Sequence, residues 1–227
     1  MSKQYHILNG DALKEQFPKS ISGEIIISRE CLIDGIVESS SLEDFYEKRA
    51  KFITESYADF TKDDYYKITV SEFEKINDIK DDSTINLWFE DDLFCQVNFW
   101  FVLYLLEKRI DSCDIYVVRP SKGNEYCFGT MSELELGDTF ESKTQLSKSD
   151  MTKFILLWNS YKNSDLTMMT KIAKDIKDKF PFVLPVVQAH IDRIPSATDL
   201  GRPSNTLVEI INRLQTNDFK IIFKEFS

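Results

Sequence analysis

Three short polar runs hold most of the side chains that could do chemistry: Asn9-Gly10-Asp11, Arg29-Glu30 and Glu90-Asp91-Asp92. Carboxylates packed into one low-dielectric crevice cannot all stay ionised without a cation. Asp11, Glu30, Glu90 and Asp92 are therefore candidate catalytic acids and bases. Asp11 and Glu90 are the candidate ligands for Mg²⁺ or another hard divalent cation, as phosphoryl or nucleotide chemistry requires. Asn9, Gly10, Arg29, Arg49 and Gln96 are candidate ligand-binding residues beside them, the two guanidinium groups serving as clamps for a small anionic ligand. The competing reading is structural: Asp11 and Asp92 cap helices, and Glu30 and Glu90 are solvated.

Arg49 lies inside an apolar helical stripe, four residues after Phe45 and three before Phe52. A guanidinium placed there needs a partner, because a buried unpaired charge is very costly. Glu30 and Glu90 are the expected partners, with snorkelling of the stem to solvent as the alternative. His6 falls mid-strand and is expected to point into packing. His190 shares a helix face with Val183, Val187 and Ile194, which fits a satisfied core histidine. In the sharper reading it is a catalytic group, and with Arg193 as a ligand-binding residue it reaches into the strand-end crevice. Cys95 sits in the first turn of a helix, where the dipole lowers a thiol pKa but Glu90, Asp91 and Asp92 raise it; a buried, inert thiol is expected.

The elements that must position these groups alternate. Tyr5–Asn9, the β-branched run at Glu24–Ser28, Thr84–Phe89 and Asp114–Val118 read as strands. Between them come a short helix at Ala12–Phe17, an amphipathic helix at Ser41–Tyr57 with Ser41 as N-cap, two short helical pieces in residues 60–80 with a capping box at Ser71-x-x-Glu74, and an apolar helix from Leu93 to Lys108. This order predicts an α/β fold: a three-layer, mostly parallel sheet of about four strands in residues 1–131. In such sheets ligands bind beyond the strands' carboxyl ends, where adjacent strands lie only ~5 Å apart. The Ser/Thr-rich stretch 132–148 reads as a linker. Residues 149–227 then form a helical C-terminal domain. Its last stripes are Leu207, Ile210, Ile211 and Leu214, then Phe219, Ile222, Phe223 and Phe226.

Several segments taken together carry a resemblance. They are His6-Ile7-Leu8-Asn9-Gly10-Asp11, Arg29-Glu30-Cys31-Leu32-Ile33-Asp34-Gly35, Leu87-Trp88-Phe89-Glu90-Asp91-Asp92-Leu93-Phe94-Cys95-Gln96 and His190-Ile191-Asp192-Arg193-Ile194-Pro195-Ser196. The chain resembles bacterial proteins carrying domain-of-unknown-function family 1835. That family usually has Asp where Glu30 stands and His where Asp91 stands. The resemblance implies the fold, the site location and a chain that continues past Ser227. It implies no reaction.

The formal charge is −10. Residues 1–149 carry 17 basic against 29 acidic side chains, a net of −12, while residues 150–227 carry 11 against 9, a net of +2. Nucleic acid is thus an improbable partner for the N-terminal part, since each phosphate contact wants a cation. It stays open only for the C-terminal helices, where a helix-turn-helix would present Arg202, Asn205, Thr206 and Arg213. The four cysteines have no CxxC spacing, which fits reduced thiols in a cytoplasmic protein. No apolar run is long enough to span a bilayer. There is no G-x-S-x-G, Walker A or G-x-G-x-x-G motif. Two function classes follow. One is a ligand-binding protein with a strand-end crevice, extending to metal-assisted hydrolysis or nucleotide handling. The other is a non-enzymatic regulator that senses a ligand and binds a partner through its helices.

Overall fold

β-Branched and aromatic residues alternate between two faces along the four main strands, so each strand has two sides to bury. A computed structural model describes every residue of the chain except Met1, Ala58, Lys122, Asn124 and Ser227. The strands are β1 (Gln4–Asn9), β2 (Glu24–Ser28), β3 (Thr84–Trp88), β4 (Asp114–Val118) and β5 (Thr144–Gln145). The helices are α1 (Ala12–Glu15), α2 (Leu42–Ser56), α3 (Lys62–Tyr65), α4 (Ser71–Asn77), α5 (Leu93–Leu105), α6 (Glu133–Glu141), α7 (Lys148–Lys162), α8 (Leu166–Ile176), α9 (Val183–Asp192), α10 (Arg202–Leu214) and α11 (Phe219–Phe226). The sheet order is β2-β1-β3-β4-β5. The first four strands are parallel and β5 is antiparallel to β4. The expected α/β architecture with a helical C-terminal region is the one observed.

Tyr5, Ile7, Ile26, Ile85, Leu87, Ile115 and Val117 face the larger core. Helix α5 lies in that core and is buried on every side from Cys95 to Leu103. Phe99 packs on Phe154 and Phe101 on Trp158, so α7 continues the same core outward. Burial of each such aromatic stabilises the fold by roughly 1.5–3 kcal/mol. The opposite face is thinner: Leu8, Ile27, Trp88 and Val118 are covered by Leu13, Phe128, Met131 and Leu136.

Two expectations need correction. Residues 132–148 are not a linker. Ser132 and Glu135 form a capping box that starts α6, and β5 hydrogen-bonds to β4 as a fifth strand. Ser71 does not cap a helix either. A π-helical turn at Tyr66–Val70 carries the helix through it, and its hydroxyl donates to the Lys67 carbonyl at 2.6 Å; the capping box lies earlier, at Thr61 and Asp64. The expected helical stripes at Leu207–Leu214 and Phe219–Phe226 fall on α10 and α11, and they are largely uncovered. Only Ile210 is buried on them, and Phe219 and Phe223 are exposed. Periodicity names the face that favours burial, not what covers it.

Candidate ligand-binding site at the strand ends

Strand β1 pairs with β2 on one side and β3 on the other, so the order of the sheet reverses at β1. Open α/β sheets place ligands outside such a point. Gly10 follows β1 with φ +87°, a conformation that favours glycine, and its N–H donates to the Ser28 carbonyl at 3.0 Å. This holds the ends of β1 and β2 together and sends Asn9 and Asp11 in different directions.

Asn9 enters a polar knot between β1 and β3. Its Nδ2 donates to Cys95 Sγ at 2.9 Å, and the thiol donates to Glu90 Oε2 at 3.0 Å. Glu90 Oε1 accepts the Phe128 N–H at 3.1 Å. Asp92 caps α5 by accepting the Cys95 N–H at 2.9 Å. Burial first, then the Glu90 and Asp92 charges, push the Cys95 thiol far above its ordinary pKa, so it stays protonated. Gln96 donates from Nε2 to the Glu90 carbonyl at 2.8 Å. Asn98, which the sequence reading missed, is the central strut. It donates to Asn9 Oδ1 at 2.9 Å and to the Glu30 carbonyl at 2.7 Å, and accepts from Leu32 N–H at 3.3 Å. Its signal was a buried amide in an otherwise apolar helix.

Glu30 belongs to a second, closed cluster. Arg49 donates to it from Nε at 3.0 Å and Nη2 at 2.8 Å, and Tyr65 from its hydroxyl at 2.6 Å. The Cys31 N–H adds a fourth bond at 2.8 Å. Arg49 also donates to the Cys31 and Asp34 carbonyls. Between the two expected partners of Arg49, the structure selects Glu30. Burial opposes the Arg49 cation, yet its bonds to Glu30 raise its pKa; burial and the Glu30 charge also raise that of Tyr65. A clamp so fully occupied positions the loop after β2. Four of the five guanidinium N–H groups are taken, and the side chain is fully buried, so it is closed to an anion from solvent.

Asp11 departs from expectation as well. Both its carboxylate oxygens accept from Arg29, at 2.7 and 2.8 Å, and these bonds hold its pKa below the ordinary value. Arg29 also donates to the Ile68 carbonyl at 2.9 Å. The expected convergence of Asp11, Glu30 and Glu90 does not occur, because two of the three carboxylates turn to their own arginines. Among the described residues, the group whose ligand atoms come together, within 4.8 Å, is Glu90, Asp92 and Cys95. The expected pairing of Asp11 with Glu90 on one ion is therefore not formed. Two oxygens and a sulfur suit Zn²⁺ better than Mg²⁺, which takes oxygen ligands in an octahedron.

Beside Asp11 and Arg29 opens a cleft of about 460 Å³, walled by Ile53, Tyr57, Phe60 and Ile68. Its size falls within the usual range for small-molecule sites.

Asp91 sits apart from the knot. Arg119 binds both its oxygens and lies 4.1 Å from the Phe182 ring centroid. His190 is buried against Tyr161, with ring centroids 4.8 Å apart, and its Nδ1 accepts from Arg193 Nε at 3.3 Å. Burial, and then the Arg193 charge, lower its pKa to about 4. Arg193 does reach the loop after β2, donating to the Ile33 carbonyl at 2.8 Å. The side chains a helix-turn-helix would present have partners within the chain: Arg213 pairs with Glu225, and Asn205 and Thr206 donate to Asp199 and Arg202. All four cysteines are free thiols.

Among the described residues, no helix is long and apolar enough to cross a membrane. Compared with protein-family models, with curated proteins and with solved structures, the chain matches none of them.

Proposed function

We propose that this protein binds a small organic molecule in the cleft beyond β1 and β2, and that its role is sensing rather than turnover. The observation that carries the reading is the cleft itself: aromatic and aliphatic walls together with polar groups that include the Asp11–Arg29 pair, at the carboxyl ends of parallel strands. Asp11 is half exposed, so an incoming carboxylate or phosphate can replace it on the Arg29 fork while a ring-bearing body rests against Tyr57 and Phe60. The acids and bases of a hydrolytic site are engaged elsewhere: Glu30 takes four hydrogen bonds, and His190 is buried with a lowered pKa. Asp11, Arg29, Glu30 and Cys31, which belong to two of the segments that resemble family 1835, line this cleft, and this fits the site location that the resemblance implies. Four unpaired thiols support a cytoplasmic setting.

Titration of the purified protein with benzoate and phenyl phosphate, followed by amide NMR, tests the reading. Shifts should cluster at Arg29, Tyr57 and Ile68 and vanish in Arg29→Gln. Absence of shifts at tens of millimolar ligand refutes it.

A second reading rests on the convergence of Glu90, Asp92 and Cys95: a Zn²⁺ site at the β1/β3 switch point, with the thiol losing its proton on binding. Zinc retained after dialysis in the native chain and lost in Cys95→Ser supports it. Zinc absent from both sinks it.

A further inference from the structure

Each of six arginines in the chain meets a carboxylate within 3.5 Å: Arg29, Arg49, Arg109, Arg119, Arg202 and Arg213. Arg193 is the seventh, and its carboxylate contact is the longest, Nη1 to Asp34 at 3.9 Å. Its short contacts are all with neutral acceptors: the Ile33 carbonyl at 2.8 Å, His190 Nδ1 at 3.3 Å and the Tyr161 hydroxyl at 3.4 Å. These orient the guanidinium without neutralising it, and Nη1 has no hydrogen bond among the described residues.

The same guanidinium lines a cleft of about 480 Å³ between the start of α5 and helices α9 and α10. Its lining includes the apolar Leu93, Val186 and Ala189 together with the charged Arg193, Arg202 and Asp92. Asp91 also borders it, but Arg119 binds both oxygens of that carboxylate. Gly201 fixes the position of Arg202. A Cβ there would collide with the Arg193 carbonyl, and its φ of +82° favours glycine. The start of α10 is thereby pressed against the end of α9, and Arg193 and Arg202 both line the cleft, Arg202 also meeting Asp192 at 3.5 Å.

We infer that this cleft is a second binding site, for a small zwitterion with an apolar side chain, such as a hydrophobic α-amino acid. The carboxylate would pair with Arg193 Nη1 and Arg202, the ammonium with Asp92, and the side chain would rest on Leu93, Val186 and Ala189. A multiply charged anion is disfavoured by Asp92, and a simple cation by the two arginines. The cleft shares no lining residue with the one beyond β1 and β2, so the two readings stand or fall separately.

Calorimetric titration of the full chain with L-leucine, N-acetyl-leucine, leucinamide and inorganic phosphate tests this. Leucine should bind, and blocking either of its ends should weaken binding about tenfold or more, the loss expected for a charge-assisted hydrogen bond. Asp92→Asn keeps an N-cap and Arg202→Gln alters an exposed side chain, so both should fold and both should weaken leucine by a similar factor. Ala189→Phe should block the cleft. Any of three results overturns the inference: no heat with leucine at several millimolar, blocked analogues binding as tightly as leucine, or phosphate binding where leucine does not.

Discussion

Two arginines hold the loop that follows β2, and they do so in opposite ways. Arg49 comes from α2, is fully buried, and meets a carboxylate of equal burial, Glu30. Arg193 comes from the end of α9, is about one quarter exposed, and meets mainly neutral oxygen and nitrogen acceptors. Both bond to carbonyls of the same loop: Arg49 to Cys31 and Asp34, Arg193 to Ile33. The difference lies in where the charge goes. In the first case it is spent inside the fold, so the residue is structural. In the second it is oriented and left largely uncompensated, an arrangement suited to a binding group.

Removing one partner of the buried pair should have the largest effect. Arg49→Ala leaves Glu30 buried with an uncompensated charge, and the expected loss is about 3–5 kcal/mol of unfolding free energy. The double variant Glu30→Met, Arg49→Met should recover a large part of it, because apolar replacement of both partners removes the desolvation cost. Urea denaturation of the three chains reads this directly. A single variant within ~1 kcal/mol of the native chain would show that the pair is not the strut described.

Acidification probes the other arm of the comparison. His190, beside Arg193, and His6, packed against Phe17, Trp88 and Phe140, both have pKa values lowered from 6.5 to about 4, burial being the first cause in each. The unfolded chain takes up these protons as pH falls through 6.5, while the folded chain does so only near 4. Stability is therefore complete above about pH 6.5 and declines between there and about pH 4, by roughly 2 kcal/mol per ring at pH 5. Thermal denaturation across this range should show the slope, and His190→Gln should remove about half of it. An unchanged slope in that variant would place the titration elsewhere. Arg193→Ala should cost less than Arg49→Ala, about 1–2 kcal/mol in the same urea assay, since its short contacts are to neutral acceptors and its one carboxylate contact, to Asp34, is long and exposed.

What was legible beforehand follows the same division. The four parallel strands, the Ser41 and Asp92 caps and the need of Arg49 for a carboxylate were readable, because each rests on local pattern or on the cost of burying charge. The choice of Glu30 over Glu90 was not, because it depends on how the loop after β2 turns. The isolation of Asp11 from Glu90 is hidden for a similar reason: adjacent strand ends make the carboxylates neighbours in the sheet, whereas Arg29 draws Asp11 away. β5 was missed because two exposed residues with no apolar alternation leave no strand signal, and its pairing is supplied by β4.

The exposed counterpart of the buried pair is Asp11–Arg29, and it should matter least to stability. The Asp11 side chain is about half exposed and Arg29 keeps its bond to the Ile68 carbonyl, so Asp11→Asn should change the unfolding free energy by less than about 1 kcal/mol. Its effect on the neighbouring cleft should be the reverse. With Asp11 neutral, Arg29 is released from its closest counter-ion, and benzoate or phenyl phosphate should bind more tightly than to the native chain. The same side chain would then be nearly silent in a denaturation curve and plainly visible in a binding isotherm. Tighter binding with unchanged stability marks the pair as a gate on the cleft. A large loss of stability in Asp11→Asn would put it in the same class as Glu30–Arg49, and the contrast between the two arms would fail.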